Sequence, residues 1–341
     1  GVGQVDDPEG CLTIKEGIKI VCDEAVSDYD NTLRKVICPS SLRQIGRSAF
    51  ANSKNLCEVI LNEGLEYIDA GAFMDCKNLR YVYIPSTVKR IEASLFSGCD
   101  QLEKIVVSPD NPYYDSRGEC NAIIDTAKNM LVSGCHTTQI PDDVVEIGCI
   151  AFASTEKLEE ITIPDSVKKI EWNAFKYCKN LQHVRFSKHL EYIGEGAFAY
   201  CEKLEELDLP ASVSTIELEA FNNTPWLRNK PDGMVIVGSV LYKYKPFDGD
   251  EKVEPDCIIP EGVESISDEA FYMLEKPLRI YLPKSLKTYN VGSLRCLTKY
   301  YTMIRPEGVG EDYPYTDKSY VFATVDDIVY ELDNRQKTAR V

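Results

Sequence analysis

The sequence predicts an α/β repeat solenoid: a right-handed coil of 23-residue units, with short parallel strands on one face, helical turns and short strands elsewhere, and two hairpin insertions. Three observations predict this fold, namely a Phe, an Ile and a Leu that return in fixed registers. The Phe closes an Ala-Phe pair or a near equivalent, and five of its seven intervals are 23 residues. The expected repeat core comprises Phe50, Phe73, Phe96, Phe152, Phe175, Phe198, Phe221 and Phe271.

Two aliphatic registers accompany the Phe. An Ile stands five residues before each of the eight, and a Leu stands 17 residues before six of them. One such unit cannot bury its apolar face alone, whereas stacked units share a continuous core. The six Leu positions are Leu33, Leu56, Leu79, Leu158, Leu181 and Leu204.

The segment LEEITIPDSVKKIEWNAFKYCKN (158–180) shows how one unit folds. Its opening alternates, with Ile161 and Ile163 directed inward and Glu160 and Thr162 outward, which indicates a short strand. Pro164 ends that strand because it has no amide hydrogen for the ladder. A second short extended piece follows, and residues 173–178 are expected to form a helical turn that closes the coil.

The pattern L-x-x-I-x-I-P-x-x-V-x-x-I-x-x-x-A-F-x-x-C over residues 11–299 resembles the BspA-like leucine-rich-repeat family. Departures occur at Asn62 and Ser187, where the pattern has Pro, and at Leu294, where it has Phe. The resemblance implies a leucine-rich-repeat coil, and it implies a role on the cell surface, because the family occurs mostly on surface proteins of anaerobic bacteria and some protozoan parasites.

The two long intervals hold 33 and 27 extra residues, and the insertions are placed near 109–134 and 225–252. Each contains two runs of strand-forming residues around a turn, which predicts a β-hairpin. The runs are 123–124 with 130–132, and 234–237 with 240–242. We expect both hairpins to bulge from one edge of the coil.

Three regions follow from this pattern. Residues 1–32 form an N-terminal cap and partial repeat, with Ile14, Ile18 and Ile20 expected to point inward. Residues 33–299 form the solenoid, and residues 300–341 form an irregular tail that ends in a β-hairpin over 325–341. That last hairpin resembles the one that opens the first repeat in other family members, so the chain is expected to stop where another repeat block begins.

The composition excludes several partners. The net charge of −17 disfavours nucleic acid and anionic membrane surfaces, which attract basic proteins. No apolar run approaches the roughly 20 residues of a membrane-spanning helix, so no membrane insertion is expected. The chain begins GVGQVDDPEG without a charged-then-apolar leader, and we expect any secretion signal to have been removed.

The 13 cysteines contain no C-x-x-C pair. Cys76, Cys99, Cys178 and Cys201 each lie three residues after the repeat Phe, and Ser53 and Thr155 occupy the same register. This exchange predicts small, reduced core side chains. A disulfide between two of Cys120, Cys135 and Cys149 remains open.

No arrangement of residues predicts catalysis. Cys135-His136 is an adjacent pair of possible metal ligands, but no second pair stands at zinc-site spacing. The nucleophile-elbow, zincin and phosphate-loop patterns are missing from the sequence. We therefore expect a non-enzymatic protein without metal or cofactor.

The outward strand positions predict one candidate binding patch, formed by Ile37, Ile60, Tyr81, Tyr83 and Val106. These residues lie two or four positions after the repeat Leu, and neighbouring rungs lie about 4.8 Å apart. An exposed apolar patch with Tyr is typical of an interaction site. Ordinary cross-strand stacking of strand-forming residues is the alternative interpretation.

The predicted function is protein recognition by an extracellular or cell-surface scaffold, namely adhesion to a host or neighbouring-cell protein, with a glycan as a further class of partner. Adhesion is what the family resemblance implies. An intracellular scaffold for protein contacts is one alternative, and a repeat block of a longer multi-domain surface protein is another.

Overall fold

The computed structural model describes residues 10–26, 32–247, 256–272, 278–289, 301–304 and 322–323. The chain divides into two compact units. Unit 1 comprises residues 1–208 and 219–229, and unit 2 comprises residues 209–218 and 230–341. Both are built from coils that repeat about every 23 residues and contain almost no helix, so the stacked β-coil architecture is confirmed.

The first strands of the coils in unit 1 form in-register parallel pairs, and residues 136–141 form no strand. Each residue pairs with the residue 23 positions later, as in Val36↔Val59 and Ile161↔Val184. The ladder has three parts, β1-β3-β5, β7-β9 and β14-β16. Its strands are β1 (Cys11–Thr13), β3 (Lys35–Ile37), β5 (Glu58–Ile60), β7 (Tyr81–Ile84), β9 (Lys104–Val107), β14 (Glu160–Thr162) and β16 (His183–Arg185).

The second strand of each coil forms another parallel ladder, in which the predicted Ile register lies inward. Ile45 pairs with Ile68, and Ile147 pairs with Ile170. All four are fully buried. The strands are β2 (Ile20–Val21), β4 (Gln44–Ile45), β6 (Tyr67–Ile68), β8 (Arg90–Ile91), β13 (Glu146–Ile147), β15 (Lys169–Ile170) and β17 (Tyr192–Ile193).

The third side of the coil carries the Ala-Phe segments, and it forms turns where the sequence predicted a helical turn. Around Phe50, the residues at positions −2 and +2, Ser48 and Asn52, have left-handed φ values of 50° and 62°. A helix cannot continue through such residues. Instead, the amides of Ser48, Phe50 and Asn52 donate to carbonyls of the next coil at 2.8–3.0 Å. Hydrogen bonds therefore join the coils on this side as well.

The Phe rings stack along the core of unit 1. Phe175 lies between Phe152 and Phe198, with ring centroids 5.0 Å from each and interplanar angles of 5° and 7°. All three rings are buried. The predicted packing of the Phe register is present, and such ring contacts add to the free energy that burial supplies.

The cysteine register lies directly behind these rings. The thiols of Cys76, Cys99, Cys178 and Cys201 each donate to the Phe carbonyl of the preceding coil, with Sγ···O distances of 3.0–3.2 Å. The twelve cysteines that the structure describes are all free thiols. A Ser or Thr hydroxyl offers the same small donor, which explains why Ser53 and Thr155 are buried in equivalent places.

The first insertion contributes β10 (Tyr114–Asp115), a short 3-10 turn (Arg117–Glu119), β11 (Ala122–Asp125) and β12 (Met130–Gly134). Strands β11 and β12 are antiparallel. Strand β12 also pairs in parallel with β13, through Leu131↔Ile147. The hairpin is thus a rung of the second ladder and does not simply bulge from an edge, because Leu131 and Val132 bury their side chains in the stack.

Unit 2 repeats this arrangement. Its strands are β18 (Thr215–Ile216), β19 (Gly233–Val237), β20 (Val240–Lys245), β21 (Cys257–Ile258), β22 (Ser265–Ile266), β23 (Leu278–Tyr281), β24 (Thr288–Tyr289), β25 (Tyr301–Ile304) and β26 (Phe322–Ala323). Strands β19 and β20 are antiparallel, and β20 joins β22 in parallel. A four-residue helix, α1 (Pro225–Arg228), lies in the preceding part of unit 1.

The predicted ends need two corrections. Ile18 and Ile20 were expected inward but are 41% and 55% exposed, and Val21 takes the buried place opposite Ile45. A one-residue shift in a strand moves its side chains to the other face. The predicted irregular tail begins with an ordered rung, since β25 pairs with β23 at a 23-residue offset. The predicted hairpin at 325–341 lies outside the described residues.

Phe175→Ala should lower the free energy of unfolding by about 3–5 kcal/mol, because it removes a buried ring between two others. Each coil contacts mainly its neighbours, so the loss should be local before the array melts. Hydrogen exchange should show faster amide exchange in residues 150–205 than in residues 35–75. Uniform exchange across both segments would contradict local stacking.

The Cys178 thiol should make stability depend on alkaline pH. Burial raises its pKa from the ordinary 9.0 to about 12. As pH rises, the unfolded chain therefore loses this proton at a lower pH than the folded chain does. The contribution of the protonated thiol to the free energy of unfolding is complete below pH 9.0 and declines between pH 9.0 and about 12. Urea unfolding of Cys178→Ser across this range should give a slope shallower by up to about 1.4 kcal/mol per pH unit. Identical slopes would show that the thiol ionises in the folded protein.

Candidate protein-binding surface

The predicted patch lies on the outer side of the first ladder, in two paired groups. Ile37 of β3 stands opposite Ile60 of β5, and Tyr83 of β7 stands opposite Val106 of β9. Tyr81 stands opposite Lys104, two residues earlier on the same strands. The five predicted residues lie on the outward positions of four consecutive coils, and in-register pairing joins them within each of the two groups.

Alternating burial along these strands explains the placement. Val36, Val59, Val82 and Ile105 are the intervening residues, and they point into the core with exposures of 0–6%. Side chains two residues apart on a strand share a face, so their neighbours must point outward. Inward packing therefore determines which side chains the face presents.

The patch residues are not equally exposed. Tyr81 is exposed to 46%, whereas Ile37, Ile60, Tyr83 and Val106 are half-buried. The hydroxyls of Tyr81 and Tyr83 make no hydrogen bond to any residue that the structure describes. Tyr81 therefore offers both a large apolar area and an unused polar group, the properties expected of an interface anchor.

Charged side chains border the patch. Lys35 forms an ion pair with Glu58, with Nζ 2.8 Å from the carboxylate. The Glu58 hydrogen bond raises the pKa of Lys35 above its ordinary value, so the ammonium stays charged at neutral pH. Lys104 is exposed beside Tyr81 and has no ion pair among the described residues. The patch thus has an apolar centre and a partly basic rim in a strongly acidic chain.

The corner between the two ladders is held by hydroxyl bridges, which keep the face in register. Thr87 Oγ1 accepts the Gly64 amide hydrogen at 2.8 Å and donates to the Leu65 carbonyl at 2.7 Å. Ser41 makes the same pair of bonds to Gly17 and Ile18. Gly64 has φ of 109° and lies against the Ser40 carbonyl, so a side chain there would be strained and would collide.

A second exposed aromatic group lies on the turn side of the coils, and it was missed from the sequence. The rings of Tyr177 and Tyr200 stack with centroids 4.7 Å apart, and Lys176 Nζ lies 5.6 Å from the Tyr177 ring centre. Both tyrosines stand two residues after the repeat Phe. The 23-residue spacing of these two tyrosines could have predicted the pair, because residues 23 apart in adjacent repeats become neighbours in this fold.

Within the described ranges, no group of three His, Cys, Asp or Glu side chains is arranged to hold a metal ion. Cys120 and Cys135 are buried, and Cys149 is exposed. Burial raises the pKa of all three thiols. None of the helices among the described residues is long and apolar enough to span a membrane.

Stacked coils of 23 residues with short parallel strands and an outward-facing ladder define a leucine-rich-repeat protein. Six copies of the BspA type leucine-rich repeat region match residues 11–117, 132–231 and 247–312. The chain belongs to this family, as the sequence pattern indicated. No curated protein matches the chain.

Solved structures with a similar fold include bacterial repeat proteins. The pneumococcal vaccine antigen PcpA is 19% identical with a TM-score of 0.55, and the match covers 92% of this chain and 71% of that one. A leucine-rich cell surface protein from Faecalibacterium prausnitzii is 19% identical with a TM-score of 0.36, covering 89% of each chain. The T. pallidum leucine-rich-repeat protein TpLRR is 25% identical with a TM-score of 0.37, covering 57% of this chain and 78% of that one. At this identity, the likeness to PcpA shows the fold alone.

Replacing outward and inward residues of one strand should give opposite effects on folding. Tyr81→Ala should change the free energy of unfolding by no more than about 0.5 kcal/mol, because its ring is on the surface. Val82→Ala, the matched inward change, should cost about 2 kcal/mol through lost burial. Thermal and urea unfolding measure both. A large loss for Tyr81→Ala would mean that this ring supports the core.

Proposed function

We propose that this protein is a non-enzymatic binding scaffold of a secreted or surface-anchored protein, and that it recognises a host or neighbouring-cell protein through the patch of Ile37, Ile60, Tyr81, Tyr83 and Val106. The observation that carries the proposal is Tyr81, a ring exposed to 46% on a rigid parallel ladder. Its hydroxyl is unused within the described residues. Tyr supplies a large contact area and loses few rotamers on binding.

The rigidity of the patch supports this role. Hydrogen bonds join neighbouring coils of the patch in the second ladder and on the turn side, and on the patch face they join β3 to β5 and β7 to β9, so the outward side chains are positioned before any partner arrives. A preorganised surface loses less conformational entropy on association, which raises affinity for a given contact area. The basic rim at Lys104 favours a partner with acidic groups beside an apolar contact.

Membership of the BspA type leucine-rich-repeat family supports the surface location, because this family occurs mostly on surface proteins. An intracellular protein-binding scaffold is the second candidate, and one observation favours it. All twelve described cysteines are free thiols, which is the state that a reducing compartment maintains. The same patch would then bind an intracellular protein.

The patch should be tested with Tyr81→Ala/Tyr83→Ala beside a matched control, Tyr67→Ala, whose ring is 39% exposed on the second ladder. Partners captured separately from extracellular and intracellular proteins would be purified and titrated by calorimetry. The double variant should lose at least about 2 kcal/mol of binding, or roughly 30-fold in Kd, as expected of a hot spot. The control should bind like the unmodified protein.

Unchanged affinity of the double variant would exclude the patch as the binding surface. Equal losses in the double variant and in Tyr67→Ala would indicate a nonspecific effect of removing Tyr. A partner found only among intracellular proteins would favour the second candidate over the first. Unfolding curves of all variants must coincide for these comparisons to report binding.

A further inference from the structure

The first insertion interrupts the first ladder of unit 1. Strand β9 (Lys104–Val107) pairs with β7, and β14 (Glu160–Thr162) pairs with β16, but the residues of the intervening coil, 136–141, form no strand. The amide of Gln139 donates instead to the Cys120 carbonyl of the insertion at 3.0 Å. The outer surface, which is continuous along β14 and β16, is therefore indented beside Gln139.

This indentation is a groove of about 630 Å³. Its floor includes the buried Ile161, and its walls carry Gln139 on one side and Thr162, His183 and Arg185 on the other. Strand pairing defines the second wall, since Thr162 stands opposite Arg185. Ligand sites in proteins have volumes of about 300–1,000 Å³, so the groove is large enough for a small ligand.

The polar side chains in the groove have unused hydrogen-bonding groups. Within the described residues, the side chains of Gln139, Thr162, His183 and Arg185 form no hydrogen bond or ion pair. Glu160 likewise has no side-chain partner there. Elsewhere on the coils, some charged side chains pair with the next coil, as in Lys35–Glu58 and Lys77–Asp100. Donors and acceptors thus converge on one groove without satisfying one another.

His136 lies on the ridge between this groove and a neighbouring one of about 520 Å³. Its Nδ1 is buried and has no hydrogen-bond partner among the residues that the structure describes. Burial and the nearby Lys157 lower the pKa of His136 below its ordinary value. Buried polar atoms without partners are uncommon in folded proteins and call for a structural or functional reason.

The groove carries charges of both signs. Asp142, Glu160 and Asp165 disfavour an anion, and Arg185 disfavours a cation, while Asp165 is already paired with Lys188 at 3.5 Å. Exposed aromatic rings, which would anchor a peptide, do not line it. A ligand with many hydroxyl groups meets both kinds of polar group, since each hydroxyl donates one hydrogen bond and accepts others.

We propose that this groove binds a short neutral oligosaccharide, with Gln139, Thr162, His183 and Arg185 hydrogen-bonding the sugar hydroxyls. The site is separate from the Tyr81 patch. It depends on the proposed function only in treating the protein as a binding scaffold. It also gives the break in the ladder a role, because an unbroken ladder would place a strand where the groove lies.

The test uses the full chain and calorimetric titration with neutral oligosaccharides that cover the common hexose and N-acetylhexosamine linkages, chitotriose and mannotriose among them. Charged counterparts are trigalacturonate and the deacetylated chitotriose. The groove variants are Gln139→Ala and Arg185→Ala. Matched controls are Arg47→Ala and His189→Ala, which change exposed residues outside the groove, together with Tyr81→Ala.

We expect at least one neutral oligosaccharide to bind with Kd of about 1 mM or lower, corresponding to about −4.1 kcal/mol, and to bind more tightly than the charged counterparts. Each groove variant should weaken this affinity at least about tenfold, whereas the three controls should not. The ¹⁵N resonances of the His136 ring should shift on titration in the unmodified protein. This shift would place the ligand at the ridge independently of the variants.

Three results would overturn the proposal. The first is that no neutral oligosaccharide binds at about 10 mM, which is tenfold above the expected Kd. The second is that the groove variants and the controls bind with equal affinity. The third is that a charged counterpart binds more tightly than the neutral oligosaccharides. Tyr81→Ala leaves the groove intact. If the Tyr81 and Tyr83 double variant loses protein binding but still binds the sugar, the two sites are separate. Failure of the patch therefore leaves the groove testable, and the reverse also holds.

Discussion

Within the described residues, neighbouring coils of this protein depend on each other for the hydrogen bonds of their backbones. Parallel pairing joins first strands to first strands and second strands to second strands of neighbouring coils. On the third side, amides at and around the repeat Phe donate to the following coil. A buried backbone group without a partner costs free energy comparable to a lost hydrogen bond. The 23-residue period follows from this constraint, because a coil of another length would misalign at least one ladder.

The same constraint determines where unusual backbone conformations occur. On the turn side, left-handed residues lie two positions before and two positions after the Phe, and amides at alternate positions donate along the stack, as at Ser48, Phe50 and Asn52. Tyr177 and Tyr200 adopt left-handed φ values of 61° in this register, although bulky side chains rarely do so. Their mutual stacking at 4.7 Å offsets part of that cost.

The insertions interrupt the stacking of the coils on some sides and leave it intact on others. The second strands of the two hairpins, β12 and β20, become rungs of the second ladders of their units. The first insertion leaves the first ladder without a strand at residues 136–141. The core thus remains continuous while the outer surface changes, which allows a regular scaffold to carry one indented, polar site.

The sequence by itself determined the period, the buried Phe and Ile registers, the family and the outward position of Tyr81, because each follows from fixed spacing. It did not show that the Ala-Phe turn is stabilised by bonds between coils and not by a helix, or that Val21 replaces Ile20 in the core. The groove beside Gln139 also came only from the tertiary structure. Its residues, from His136 to Arg185, come together through chain pairing around an insertion, and no local pattern in the sequence records that pairing.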